Sequence, residues 1–313
     1  MPLFHNKNGR LVSIKEDPFK KEKELQSLTE QNLKAIFGLE FVATEYQVEN
    51  LFIDTLAYDE ESNSFVIIEY KRDRSFSVVD QGFSYLSLML NHKADFILAY
   101  NEACNKSIGK DDIDWSQVRI IFVARSFTAH QQNAVNFRNM PFELWEVAQF
   151  ESKMIQYRKI ETSKSAESLT QMREVVGETS KVTKEVKTYL ETDLLGTEGK
   201  SYDLYVALKE RLQQVDPNLV PNPKKIYIGF QVPDNWRIIF KVQKIRDGVE
   251  IHFTRSKPKD FDDPKKKLVY IKNSVRYYNQ NVTTLPVTNE SDVSYAILMI
   301  QQACDRFVKE FGS

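Results

Sequence analysis

Cysteine is nearly absent from this chain, with two in 313 residues, Cys104 and Cys304. They stand two hundred positions apart, without the close spacing of a metal-ligating or redox pair. Buried free thiols are therefore expected, ahead of a disulfide. Histidine is scarce too. His5, His92, His130 and His252 show no ligand spacing, so surface or core roles are expected for all four. No apolar run approaches the roughly 18 residues of a membrane span, so no membrane partner is expected. The opening residues, MPLFHNKNGRLVSIKEDPFKKEKE, lack an apolar core segment followed by a cleavage site. That leads to the expectation of a cytoplasmic protein. There is no P-loop, no dinucleotide fingerprint and no serine elbow.

What is present is an ordinary soluble composition, 42% hydrophobic and 28% charged, with ample core material. The length suggests two domains. The net charge of −1 conceals an asymmetry. Residues 1–162 carry 19 basic against 24 acidic side chains, and residues 198–313 carry 19 against 14. The second part is the better suited to phosphates, the first to cations. Between them, residues 163–197 are poor in large apolar residues and rich in Ser, Thr, Glu and Lys. They read as a polar, partly helical linker.

Two carboxylates set the central problem of the first part. In LFIDTLAYDEESNSFVIIEYKRD (51–73), Asp54 and Glu69 lie inside apolar runs, where a carboxylate is costly unless compensated. The runs are rich in Ile, Val, Phe and Tyr, and DEESN between them is turn chemistry, which predicts a β-hairpin. A midpoint between Glu61 and Ser62 sets Asp54 opposite Glu69, on the same face as Lys71. A slip of one residue would separate the pair. Facing carboxylates call for a cation, either Lys71 or a metal.

Around the hairpin, FKKEKELQSLTEQNLKAIFG reads as an amphipathic helix ending at Gly38, with Glu30 on the flank of its apolar face. EFVATEYQVE reads as a strand. SVVDQGFSYLSLMLNHK is a second helix, with Ser77 or Asp80 near its start. ADFILAY and VRIIFVAR are expected as buried strands, TAHQQNAVNF as a helix, and FELWEVAQFE as further β. The order α-β-β-β-α-β gives an α/β sandwich around a mixed sheet. After the linker, SYDLYVALKERLQQVD and ESDVSYAILMIQQACDRFVKEFG are expected as helices. KIYIGFQV, WRIIFKVQKI and VEIHFTR are expected as antiparallel strands of an α+β domain. KPKDFDDPKKK (257–267) reads as a charged loop, solvated ahead of contacting phosphate, and Tyr277 and Tyr278, beside Arg276, as core residues ahead of stacking platforms for bases.

Two carboxylates near a lysine can hold a divalent ion whose bound water attacks a phosphodiester, or can form a plain salt bridge; spacing alone leaves both open. Gln81 and Tyr85, four residues apart on one helix face, would overhang the carboxylates. As a set, Asp54, Glu69-x-Lys71 and Gln81-x-x-x-Tyr85 resemble the motifs of the PD-(D/E)xK nuclease superfamily. The likeness is closest to the catalytic domain of NucS-type and RecB-like enzymes, over roughly residues 20 to 125. It implies a restriction-endonuclease-like fold for residues 1–162 and Mg²⁺ or Mn²⁺ held by Asp54 and Glu69. It also implies catalysis by Asp54, Glu69, Lys71, Gln81 and Tyr85, with Glu30 as a further metal contact. One departure is plain: Leu51-Phe52 stands where NucS-type enzymes carry Gly-Arg, so mismatch or branch specificity does not transfer. Residues 198–313 resemble a domain of uncharacterised type found behind such modules, which implies no activity. The expectation is a metal-dependent nuclease acting on nucleic acid, DNA ahead of RNA, and compatible with a homodimer. The alternatives are a silent nuclease fold that binds nucleic acid, or a protein-interaction module.

Overall fold

The computed structural model describes residues 3–71, 77–136, 140–151, 153–161, 186, 189–232, 237–278 and 280–311. Two compact units result, Met1–Lys187 and Thr188–Ser313. Most of the expected linker falls outside the described residues.

The first unit opens with a hairpin that was not expected, β1 (Leu3–Lys7) and β2 (Arg10–Ile14). Its turn is Asn8-Gly9, both at positive φ (51° and 82°), the mirror-image geometry that suits a two-residue hairpin loop. The single helix expected next is broken into α1 (Glu22–Gln31) and α2 (Leu33–Ile36). Asn32 leaves helical geometry at φ −127° and ψ 16°, and its amide side chain donates back to the Leu28 carbonyl. Such local side-chain bonding competes with helix propagation.

Three antiparallel strands follow, β3 (Glu40–Val48), β4 (Leu51–Asp59) and β5 (Ser64–Lys71). Helix α3 (Val78–Asn91) is capped by the Ser77 hydroxyl, which accepts from the Asp80 amide. The expected strand at ADFILAY is instead part of helix α4 (Lys93–Cys104). The reason is period. Phe96 and Tyr100, four apart, are buried while Leu98 between them is 57% exposed, a helical stripe. Strand β6 (Arg119–Ala124), helix α5 (Ala129–Ala134), and strands β7 (Phe142–Gln149) and β8 (Ile155–Lys159) complete the unit.

The sheet order is β3-β4-β5-β6-β7-β8. Strands β5, β6 and β7 run parallel, and β8 returns antiparallel. The result is a restriction-endonuclease-like αβββαβ core on a mixed sheet, with α4 inserted before β6. Leu56, Phe65 and Ile67 form one core with Leu86 and Met89 of α3 and Phe96 of α4. Ala57, Val66, Ile68 and Tyr70 face the other way onto Leu25 and Leu33. Because both faces are covered, β5 and β6 read as continuous apolar runs. That continuity makes Glu69 conspicuous.

The second unit is α+β. Helices α6 (Glu191–Leu195) and α7 (Lys200–Val215) precede an antiparallel sheet of β9 (Val220–Pro223), β10 (Ile228–Gln231), β11 (Phe240–Ile245), β12 (Gly248–Thr254), β13 (Val269–Tyr270) and β14 (Val282–Val287). The order is β13-β14-β12-β11-β10-β9. Helix α8 (Ser274–Tyr278) lies between the last two strands, and α9 (Glu290–Phe311) follows them. Leu208 of α7 and Met299 of α9 share a core with Phe240 and Ile251. Tyr278, expected in the core, is 48% exposed, and the side chain of Tyr277 lies outside the described residues. Among the described residues, no helix is long and apolar enough to cross a membrane.

Candidate active site

The hairpin register is the expected one. Thr55 pairs with Ile68 and Asp59 with Ser64, so the next step outward sets Asp54 against Glu69. By alternation, Asp54 leaves the sheet with Leu56, and Glu69 with Ile67, on the α3 face. The Tyr70 amide donates to Asp54 Oδ2 at 2.9 Å, so the ladder ends on the carboxylate itself.

Glu69 is the buried centre of the cluster, 3% exposed. Its Oε1 accepts from Lys71 Nζ at 2.6 Å and from Gln81 Nε2 at 2.7 Å. Gln81 Nε2 also lies 3.3 Å from the Tyr85 hydroxyl, which donates to the Phe52 carbonyl at 2.9 Å. One chain of bonds thus runs from α3 to β4 and holds the carboxylate by a single oxygen. The other oxygen, Oε2, is buried and has no hydrogen-bond partner among the described residues. An orphaned buried acceptor costs about 1–3 kcal/mol, more when charged.

The electrostatics follow from crowding. Burial and then the charge of Glu69 push the Asp54 carboxyl up to about 7, against the opposing pull of the Tyr70 amide and Lys71. Burial works against a charge on Lys71 as well, but its bond to Glu69 and the charges of Glu69, Asp54 and Glu22 hold the ammonium above the usual lysine range. Burial and Glu69 push the Tyr85 phenol up, so it stays a donor at neutral pH. A compensated site near the start of β6 shows the contrast. Burial is the largest influence on Glu143 too, yet Lys159 and Arg119 hold it at about 2. Among the described residues, the Asp54–Glu69 pair lacks that surplus of cations.

Five of the six residues singled out in the sequence come together: Asp54, Glu69, Lys71, Gln81 and Tyr85. Glu30 does not join them. Its Oε1 accepts from Thr55 Oγ1 at 2.7 Å and Gln26 Nε2 at 3.0 Å. Thr55 projects from the opposite face to Asp54, so Glu30 sits behind the sheet. Among the described residues, no three His, Cys, Asp or Glu side chains form a metal-holding group.

Glu22 escaped notice in the sequence. It stands in the first turn of α1, and its charge raises both Asp54 and Lys71. It also lines, with Lys71, a cavity of about 470 Å³ beside the strand ends. The available signal was its place at the helix start, which an acidic side chain favours for dipole reasons alone.

No family model matches the chain. An uncharacterized protein of Haemophilus influenzae (strain ATCC 51907 / DSM 11121 / KW20 / Rd) is 37% identical over 304 residues, 97% of this chain and 99% of that protein. Among solved structures, the EndoMS complex with dsDNA shares 19% identity at a TM-score of 0.28, over 44% of this chain and 51% of that one. A repair endonuclease from Pyrococcus abyssi shares 22% at a TM-score of 0.25, over 42% of this chain and 50% of that one. This chain spans about half the length of both.

Proposed function

We propose, for a chain that belongs to one family with the Haemophilus influenzae protein over nearly its whole length, a metal-dependent nuclease that hydrolyses phosphodiester bonds, in DNA ahead of RNA. The observation that carries the reading is the orphaned, buried Glu69 Oε2 on the same face as Asp54. A structural salt bridge would spend its lysine on satisfying the pair. Here Lys71 and Gln81 converge on Oε1 and leave Oε2 over, while Asp54 is destabilised by its neighbour.

Hard oxygen donors of this kind suit Mg²⁺ or Mn²⁺. Asp54 and Glu69 would hold the ion, which supplies charge neutralisation for the phosphate and a more acidic attacking water. Everything else falls to the chain's own groups. Lys71 keeps its proton, so its part is to meet the charge that develops on the phosphate, and not to act as a base. Gln81 fixes the rotamer of Glu69, and Tyr85 fixes Gln81 against the β4 backbone. These two are positioning residues.

The test is cleavage of labelled single-stranded, duplex and branched DNA and RNA with Mg²⁺, Mn²⁺ or EDTA. Asp54→Asn, Glu69→Gln and Lys71→Ala should each remove most of a metal-dependent activity while leaving the fold intact. Cleavage that persists in EDTA, or in two of the three variants, would overturn the proposal.

A further inference from the structure

Lys71 borders two places. Toward the hairpin it meets Glu69, and toward the ends of the parallel strands it forms part of the wall of the 470 Å³ cavity. That cavity has a divided chemistry. Phe19, Leu25 and Val147 supply hydrocarbon wall, and Leu25 and Val147 belong to the core behind it. Lys20, Lys21 and Arg125 stand around it with Lys71, four cations against the two carboxylates of Glu16 and Glu22. Arg125 is paired to Glu16 at 3.3 Å, but both are largely exposed, at 60% and 45%. An exposed pair is worth about 0–1 kcal/mol, so a phosphate can take over the arginine at little cost.

Several features suit one kind of occupant. The volume falls within the range of about 300–1,000 Å³ typical of small-ligand sites. A flat aromatic or aliphatic wall takes the face of a base, which stacks without regard to sequence. The cations take the phosphate, Arg125 by a fork geometry that a lysine lacks. Lys71, part of its wall, also bonds Glu69 and so links the cavity to the carboxylate pair.

Building on the nuclease reading, we infer that this cavity is a nucleoside-phosphate subsite, which seats the base of the nucleotide next to the cut against Phe19 and its phosphate against Arg125. Neither residue belongs to the metal-holding pair, so binding here can be measured apart from catalysis. The pocket also joins two distant segments of chain. The stretch from Glu16 to Lys21 is pinned across the end of β7 by the Asp17 amide on the Gln149 carbonyl at 2.9 Å and the Glu151 amide on the Lys15 carbonyl at 3.1 Å. The Phe19 wall is therefore tied to the sheet that carries the carboxylates.

The experiment is titration of the full chain, in EDTA, with thymidine 5′-monophosphate, thymidine and inorganic phosphate, followed by ligand-observed NMR and calorimetry. The nucleotide should bind at least tenfold more tightly than either fragment. Phe19→Ala and Arg125→Gln should each weaken it about tenfold, and Phe19→Trp should retain it. Absence of nucleotide binding would overturn the inference. So would equal binding of bare phosphate, which would mark an anion site only, or nucleotide binding indifferent to both variants, which would place the ligand elsewhere. The outcomes separate from those of the nuclease reading. If no protein cuts nucleic acid with Mg²⁺ yet the nucleotide binds as described, the subsite stands and the catalytic proposal fails.

Discussion

Replacing Asp54 by asparagine should make the metal-free protein more stable above neutral pH, and progressively less so as the solution is made acid. The structure supplies the magnitude. Burial and Glu69 move the carboxyl from its ordinary 3.8 to about 7. At about 1.36 kcal/mol for each tenfold change in proton affinity, the full cost is roughly 4 kcal/mol. The sign follows from linkage. A raised carboxyl pKa means that the folded protein binds the proton more tightly than the unfolded chain. Below roughly pH 3 both states are protonated and Asp54 costs nothing. As pH climbs toward 7 the unfolded chain has released its proton and the folded protein must follow, so stability falls and then levels off. The asparagine variant carries no such cost, and its side-chain oxygen can still accept from the Tyr70 amide.

Urea unfolding at pH 4.5, 6 and 8 would read this directly. Trp115 and Trp145 report on the unit that holds the site. The advantage of the variant should grow from about 1 kcal/mol to as much as about 4 kcal/mol across that range. Adding Mg²⁺ at pH 8 should close most of that gap. At one hundred times its dissociation constant the ion would add about 2.7 kcal/mol to the wild type and little to the variant, and higher concentrations would add more. A less stable, pH-independent Asp54→Asn, together with a wild type indifferent to Mg²⁺, would refute both the repulsion and the cation site. That pattern belongs to a structural ion pair.

Two further substitutions probe how the site is held. Gln81→Leu removes one of the two donors on Glu69 Oε1 and should weaken Mg²⁺-dependent thermal stabilisation by about 10- to 100-fold in apparent affinity, as loss of an outer-shell partner does; an unchanged metal titration would remove Gln81 from the site. Gly82→Ala should destabilise, because the new Cβ would stand 2.6 Å from the Phe142 ring. The expected loss in urea unfolding is roughly 1–3 kcal/mol from overpacking, exceeding the gain of about 1 kcal/mol in helix propensity. A more stable Gly82→Ala would show that Gly82 of α3 does not approach the Phe142 ring of β7 so closely.

Local chemistry alone made much of this protein legible. Turn residues and alternation offered the register that sets Asp54 opposite Glu69, with a one-residue slip as the alternative, and the pairing of Thr55 with Ile68 and Asp59 with Ser64 decided for it. The Gln81–Tyr85 pair was visible because residues four apart share a helix face. The hairpin at Asn8-Gly9 is equally local in origin, since that dipeptide is a strong turn signal. ADFILAY shows where apolar content misleads. Seven residues of mixed β-branched, aromatic and small side chains fit either a strand or a helix, and packing of Phe96 and Tyr100 on the sheet chose the helix. Glu30 and Glu22 mark what only the fold could decide. Both lie on α1, eight residues apart, and no rule of spacing ranks one above the other. The sheet intervenes between Glu30 and the carboxylates, whereas the start of α1 meets the strand ends where Lys71 emerges. Which oxygen of Glu69 is satisfied and which is left over was likewise out of reach, because that depends on two side chains from different elements converging on one atom. Sequence determines which chemistry each face carries. The distance between two faces, and the solvent shut out between them, exist only once the chain has packed.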